Sequence, residues 1–173
     1  VWSRLRGGER IGTMSGARVV WNDVVWAWLG SALSILCLAW LERLCAQEWN
    51  LPLLIGSFGA SAVLAFGAPE SPLAQPRNLV GGHMLSALVG VSCQMLLGQE
   101  PAAAAALAVS TAIALMRVTK TLHPPGGATA LIAVTGGEGI HQLGYLYAFV
   151  PCLLGALIML CLLYTSPSPR DRQ

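Results

Sequence analysis

The chain has 173 residues, of which 55% are hydrophobic and 10% charged, against about 25% charged in an ordinary soluble domain. With a mean hydropathy of +0.63, it has too few charged side chains to cover a water-exposed surface, so an integral, multi-pass membrane protein is expected. Its formal net charge of +2 is ten Lys and Arg against eight Asp and Glu, and the cations are scattered over segment ends, which argues against a nucleic-acid-binding face.

Residues 1–23 form a basic N-terminal arm carrying Arg4, Arg6, Arg10 and Arg18. No short apolar core with a small-residue cleavage site occurs in it, so it is not read as a signal peptide, and Met14 is an alternative start. The first long apolar segment, Val24 to Cys45, has the length of a full span. Trp21, Trp26 and Trp28 lie at one end and Trp40 and Trp49 near the other, as interfacial aromatics do.

A shorter segment follows, LPLLIGSFGASAVLAFG (51–67), ending in the breaker cluster APESPLAQPRN (68–78). Sixteen or so helical residues cover roughly 24 Å of a ~30 Å hydrocarbon core. Its Gly56, Ser57, Gly59 and Ser61 supply small polar surface, and the four-residue spacing of the two serines suits close helix packing. The third segment, Asn78 to Leu97, opens with PRNLVGGHM (76–84), which carries Arg77, Gly81, Gly82 and His83. An intramembrane His is either a proton-exchanging group or a hydrogen-bonded packing residue. Glu70 either pairs with Arg77 or is solvated in its loop.

The fourth segment, Pro101 to Thr119, follows a tight turn at 98–100 and so forms an antiparallel hairpin with the third. Then comes LHPPGGATALIAV (122–134). Pro124 and Pro125 lack amide donors, and Gly126 and Gly127 permit tight turning, so the stretch cannot be regular helix throughout. Either it is a structural kink with Arg117 and Lys120 at the interface, or a helix starting near Gly126 or Gly127 exposes free amides that hold a small anion, with Lys120 and His123 upstream and the Thr129 hydroxyl in its first turn. His141, beside Glu138, reads as an exposed loop residue. The last segment starts near Leu143.

Two short stretches look alike: GASAVLAFG (59–67) and GATALIAVTG (127–136). Each lies between two long segments, so the fold expected is an all-α membrane protein with four long transmembrane helices and two short ones; either these form two long-short-long repeats, or the likeness is chance between Gly/Ala-rich stretches. If the short segments cross the membrane, the repeats are inverted; if they only dip in, the repeats are parallel. Six spans put the four arginines of the arm with Arg77, Arg117 and Lys120 inside and Arg43 outside. Without the arm, four spans with Arg43, Arg77, Arg117 and Lys120 inside serve equally well.

Cys37, Cys45, Cys93, Cys152 and Cys161 show neither CxxC nor Cys/His ligand spacing and read as packing residues. No paired carboxylates, metal-ligand cluster, nucleophile elbow or phosphate loop is present, so neither an enzyme nor a metal or cofactor is expected. Residues 161–173 resemble a translated sequencing adapter through Asp171 and are expected to be non-native, with the natural chain interrupted near Leu160.

His123 to Leu131, taken with GSFGASAVLAFGAPESPLAQPRNLVGGH (56–83), resembles the HPP family of integral membrane proteins, named for the triplet at 123–125. The resemblance covers residues 24–160 and implies a four-helix transmembrane domain. Cyanobacterial and chloroplast members are implicated in nitrite transport, and some bacterial members continue into CBS domains. It therefore implies a transporter of a small inorganic anion, nitrite first, in a bacterial inner membrane. The partners expected are that anion, the lipid bilayer and further copies of the chain in a homo-oligomer. The alternative is a non-transporting anchor or sensor whose C-terminal CBS-type domain lies beyond this chain. For transport, Arg77, Lys120 and His123 would attract the anion, Ser61, Gly126, Gly127 and Thr129 would hold it, and His83 would exchange a proton. Gly59, Gly81, Gly82, Pro124 and Pro125 would shape the backbone.

Overall fold

This computed structural model describes residues 20–45 and 52–165, together with the side chains of those residues except Cys45. The arginines of the arm, Met14, Trp49 and residues 166–173 lie outside the described residues. Among the described residues every regular element is helical: α1 (Trp21–Cys45), α2 (Gly56–Gly67), α3 (Pro76–Leu97), α4 (Pro101–Val118), α5 (Pro124–Thr135) and α6 (Ala148–Thr165). A 3-10 turn, Pro72–Ala74, precedes α3, and a single helical turn, Glu138–His141, follows α5. Helices α1, α3, α4 and α6 are long and apolar enough to cross a membrane. The two between them, α2 and α5, have 12 residues each, or ~18 Å.

Proline sets three of the helix starts. Pro76, Pro101 and Pro124 each stand at the first helical position, where the missing amide costs nothing and the fixed φ suits the helix. Thus α5 begins at Pro124, ahead of the Gly126 or Gly127 expected from sequence, because His123 before it takes up the extended geometry that proline imposes (φ −134°, ψ 105°). In contrast, α2 starts later than expected, at Gly56, since Ile55 is extended (φ −97°, ψ 146°). In α6, Val150 leaves helical geometry (φ −133°, ψ 112°) next to Pro151.

Small residues draw α3, α4 and α5 together. A Cβ on Gly82 would lie 2.5 Å from His123 Cβ, and one on Gly90 would lie 2.6 Å from both the Ala130 carbonyl oxygen and Ala133 Cβ. Gly82, Ser86 and Gly90, four apart on α3, thus form the close-approach stripe usual between membrane helices. Ala104, Ala108, Ala112 and Met116 make the matching face of α4, all fully buried. A second core, including Leu38, Phe58, Phe66, Tyr147 and Met159, joins α1, α2 and α6. Outward, Trp21, Trp28, Leu36 and Trp40 on α1 are more than 60% exposed, as lipid-facing and interfacial side chains are.

The same contacts give directions. Along α3, Gly82 meets His123, Gly90 meets Ala130 and Ala133, and the Ser92 hydroxyl lies 3.0 Å from that of Tyr145. So α5 runs parallel to α3, starting at the end where α3 begins, and the chain continues past it toward the opposite end. It returns along α6, where Gly155 packs on Phe58 near the level of His83. Helices α1 and α2 are antiparallel, with Gly30 against Phe66 and Glu42 accepting from the Leu54 amide. The linker after α2 folds into local turns, Ser71 to Ala68 and Ala74 to Ser71, so α2 ends where α3 starts. Both short helices therefore lead the chain, with their flanking segments, from one end of the bundle to the other, and the two halves run in inverted order. The packing respects the exchange of halves: α1/α2 answers α4/α5, α3/α4 answers α6/α1, and α3/α5 answers α6/α2, while α2 and α5 touch each other.

Candidate functional site

The polar centre of the bundle is where α2, α3 and α5 meet. Ser61 and Thr129 occupy the same position in the two short helices, the sixth of twelve residues. His83 of α3 bridges them: its Nε2 lies 2.7 Å from the Ser61 hydroxyl and its Nδ1 2.7 Å from that of Thr129. Ser61 Oγ is also 2.9 Å from His123 Nε2, and His123 Nδ1 is 3.0 Å from the carbonyl oxygen of Leu73. Ser61, His83, His123 and Thr129 are all fully buried. The two imidazoles meet edge to face with centroids 5.1 Å apart, and Phe58 lies 5.2 Å from His83 on another side. Tyr147 donates to the Thr129 carbonyl at 3.2 Å. The cluster is therefore hydrogen-bonded from side chain to side chain, as a polar group deep in a bilayer must be.

The PRNLVGGH stretch (76–83) is shaped to hold the loop before α5. Arg77 donates to the Thr119 carbonyl at 2.7 Å and the Asn78 amide to that of Leu122 at 2.7 Å, tying the start of α3 to the loop before α5. Gly81 and Gly82 let this loop lie flat on the helix, since a Cβ there would meet Thr121 Cγ2 at 2.7 Å and His123 Cβ at 2.5 Å. His83 then falls one residue further, inside the cluster.

The expected anion-holding end of α5 looks different in detail. Pro124 and Pro125 carry no amide, and the Gly126 amide already donates to the His123 carbonyl at 2.8 Å. Because the helix starts at the prolines, the first turn presents no row of free amides, and the polar groups of this end are side chains. Gly126 is buried among Ser86, Gly82 and Met116, whereas a Cβ on Gly127 would find its nearest neighbour only at 4.0 Å. Gly59 faces open space. Arg77, Arg117 and Lys120 are exposed together at the end where α3 starts and α4 stops, one turn or more from the cluster. Glu70 is exposed, and so is His141, although its Nε2 donates to the Val134 carbonyl at 3.0 Å.

Sequence reasoning missed the Leu73 carbonyl and Tyr147. A backbone acceptor leaves no residue-type signal, and a tyrosine near a segment end reads as interfacial. Ser57, one turn before Ser61, has its hydroxyl buried with no hydrogen-bond partner. Among the described residues no three His, Cys, Asp or Glu side chains converge as a metal site would need. Cys37, Cys93, Cys152 and Cys161 are free thiols.

An apolar helical bundle with lipid-facing aromatics, two shortened helices from opposite halves and a buried polar cluster between them defines a polytopic membrane protein. The family model for the HPP transmembrane region matches residues 17–166, and the chain belongs to that family. Two Dictyostelium discoideum proteins described as transmembrane proteins are similar to it. One is 52% identical over 142 residues, covering 80% of this chain and 50% of the relative. The other is 48% identical over 162 residues, covering 92% and 50%. The chain thus spans half the length of the curated relatives it matches. No solved structure matches it significantly.

Proposed function

We propose that the protein is a transporter of a small inorganic anion, with nitrite the first candidate from the family resemblance. The observation that carries this is the Ser61–His83–Thr129–His123 cluster, buried where two shortened helices of inverted halves meet. Titratable side chains inside a membrane are expensive and mark substrate or proton paths. Inverted-repeat transporters build their sites from such interrupted helices near the midplane.

Two further features support a solute path. The orphaned Ser57 hydroxyl extends the polar face of α2 by one turn from Ser61, and a buried hydroxyl without a partner costs on the order of 1–3 kcal/mol unless a solute or water meets it. Arg77, Arg117 and Lys120 form a basic mouth at the end where His123 lies, which raises the local anion concentration. With two prolines and an engaged Gly126 amide in the first turn of α5, recognition rests on the imidazoles of His83 and His123 and on the hydroxyls of Ser57, Ser61 and Thr129. No enzymatic step and no cofactor is proposed. A homo-oligomer remains part of the proposal, tested by the mass of the protein in nanodiscs. The bacterial inner membrane is the location proposed, and the Dictyostelium relatives lend it no support.

The test is flux of nitrite, nitrate, formate and bicarbonate into proteoliposomes. Nitrite flux should fall by at least about tenfold in Thr129→Val, which removes the hydroxyl at nearly constant volume. Absence of flux for all four anions, with the folded protein present, would overturn the proposal. That outcome would favour the second reading, an anchor or sensor module, which the doubled length of the relatives supports. In that reading a CBS-type domain would be the working part.

A further inference from the structure

The hydrogen-bond chain through the cluster has only one internally consistent direction when both histidines are neutral. A carbonyl oxygen can only accept, so His123 Nδ1, 3.0 Å from Leu73 O, must carry a proton. In the neutral ring Nε2 is then the acceptor, and Ser61 must donate to it. With its one proton used, the Ser61 oxygen accepts from His83, which must be protonated on Nε2. His83 Nδ1 is then an acceptor, satisfied by the Thr129 hydroxyl. Every hydrogen along Thr129, His83, Ser61 and His123 points toward Leu73.

A second complete arrangement exists with one more proton. His123 is doubly protonated and donates from Nε2 to Ser61; Ser61 turns its hydrogen to His83 Nε2; His83 carries its proton on Nδ1 and donates to Thr129. The Thr129 hydroxyl, released from His83, donates to the Pro125 carbonyl, already 3.4 Å away. All heavy atoms keep their partners. The balance is one proton gained: it enters at Thr129, each hydrogen moves one place along the chain, and the positive charge ends on His123.

We propose that this chain takes up a single proton, with His123 as the charged site and His83 as a neutral relay that changes tautomer. The proton exchange expected of His83 is thereby moved to its neighbour. The capacity is one because two imidazolium rings 5.1 Å apart would repel in a buried place. The groups around the chain fit that limit. His83 faces His123 from α3, Ser61 faces it from α2, the Leu73 carbonyl from the turn before α3, and exposed Arg77, Arg117 and Lys120 lie at the loop end. At the far end Tyr147 donates to the Thr129 carbonyl, with Cys152 beyond it on α6. Neither ring has a carboxylate among its hydrogen-bond partners. The inference does not rest on anion transport and stands or falls by itself.

The test is nitrogen NMR of ring-labelled histidine in the full chain reconstituted in lipid, titrated from neutral pH to the lowest pH at which it stays folded. The exposed His141 supplies an independent control signal. The expected result is one imidazolium, His123, appearing with the same midpoint at which the His83 proton moves from Nε2 to Nδ1. A cationic His83, a His83 tautomer that stays fixed while His123 titrates, or no titration at either ring overturns the proposal. Ser61→Thr, which keeps the hydroxyl, should preserve the shared midpoint, and Ser61→Ala should leave His83 unchanged while His123 titrates. If Ser61→Ala does not fold, Thr129→Val reads the same link. It costs the charged arrangement two hydrogen bonds, His83 to Thr129 and Thr129 to the Pro125 carbonyl, and the neutral one only that from Thr129 to His83, so the His123 midpoint should fall by on the order of one pH unit, the size of the one bond of difference; an unmoved midpoint contradicts the chain.

Discussion

Lys120 closes α4 with left-handed backbone, φ 57°, unique among the described non-glycine residues. The Lys120 amide donates to the Arg117 carbonyl and the Thr121 amide to that of Met116, the paired bonds of a helix end that normally places glycine at this position. A side chain there costs roughly 1 kcal/mol. Lys120→Gly should therefore raise thermal stability, by roughly the same 1 kcal/mol, while Lys120→Gln keeps the strain and removes the charge. If the basic mouth matters, nitrite flux in proteoliposomes should fall alike in both variants, despite their different stability. Flux retained by the Gly variant alone would assign Lys120 a purely conformational part. At this scale the sequence already distinguished Ser61, His83, His123 and Thr129 by chemistry. Their meeting was hidden because it depends on which faces of three helices turn inward, and local pattern does not encode that.

Between elements, neighbouring glycines have opposite duties. Gly126 sits where α3, α4 and α5 converge: an added Cβ would lie 2.7 Å from Ser86 Oγ, 3.0 Å from the Gly82 carbonyl oxygen and 3.0 Å from Met116 Sδ. Gly127, one residue on, points where nothing comes closer than 4.0 Å. Gly126→Ala should thus destabilise the protein by roughly 1–3 kcal/mol through overpacking, and Gly127→Ala should be neutral or stabilising by up to about 1 kcal/mol as helix propensity improves. Unfolding followed by tryptophan fluorescence in detergent separates them; equal effects would contradict this packing. The four long helices and the two short ones were legible in the order of apolar runs and breakers. The start of α5 was not, because PPGG reads as a break, while the same prolines at the first helical positions act as a beginning.

For the whole molecule, sequence left two topologies standing, and the difference is decided by the path of α5. Parallel repeats need a short helix that returns to the end from which it came. Here the chain enters at the level of Gly82 beside His123, passes Gly90 beside Ala130, and reaches Ser92 beside Tyr145 before α6 turns back. A loop signal cannot reveal this, since Gly136 and Gly137 would look the same on either side of the membrane. The end holding the 68–75 linker also holds Arg77, Arg117 and Lys120, whereas the opposite end holds Arg43 with Glu42, Glu100 and Glu138. Lys and Arg favour the cytoplasmic side, so single cysteines introduced at Ser71 and at Glu138 should label from opposite sides of sealed vesicles, Ser71 from the cytoplasmic face. Each is scored against a background in which the native cysteines are replaced, with a membrane-impermeant maleimide added before and after lysis. Labelling of both from one side would return α2 and α5 to re-entrant helices. It would also break the inverted relation that brings Ser61 and Thr129 onto the same imidazole.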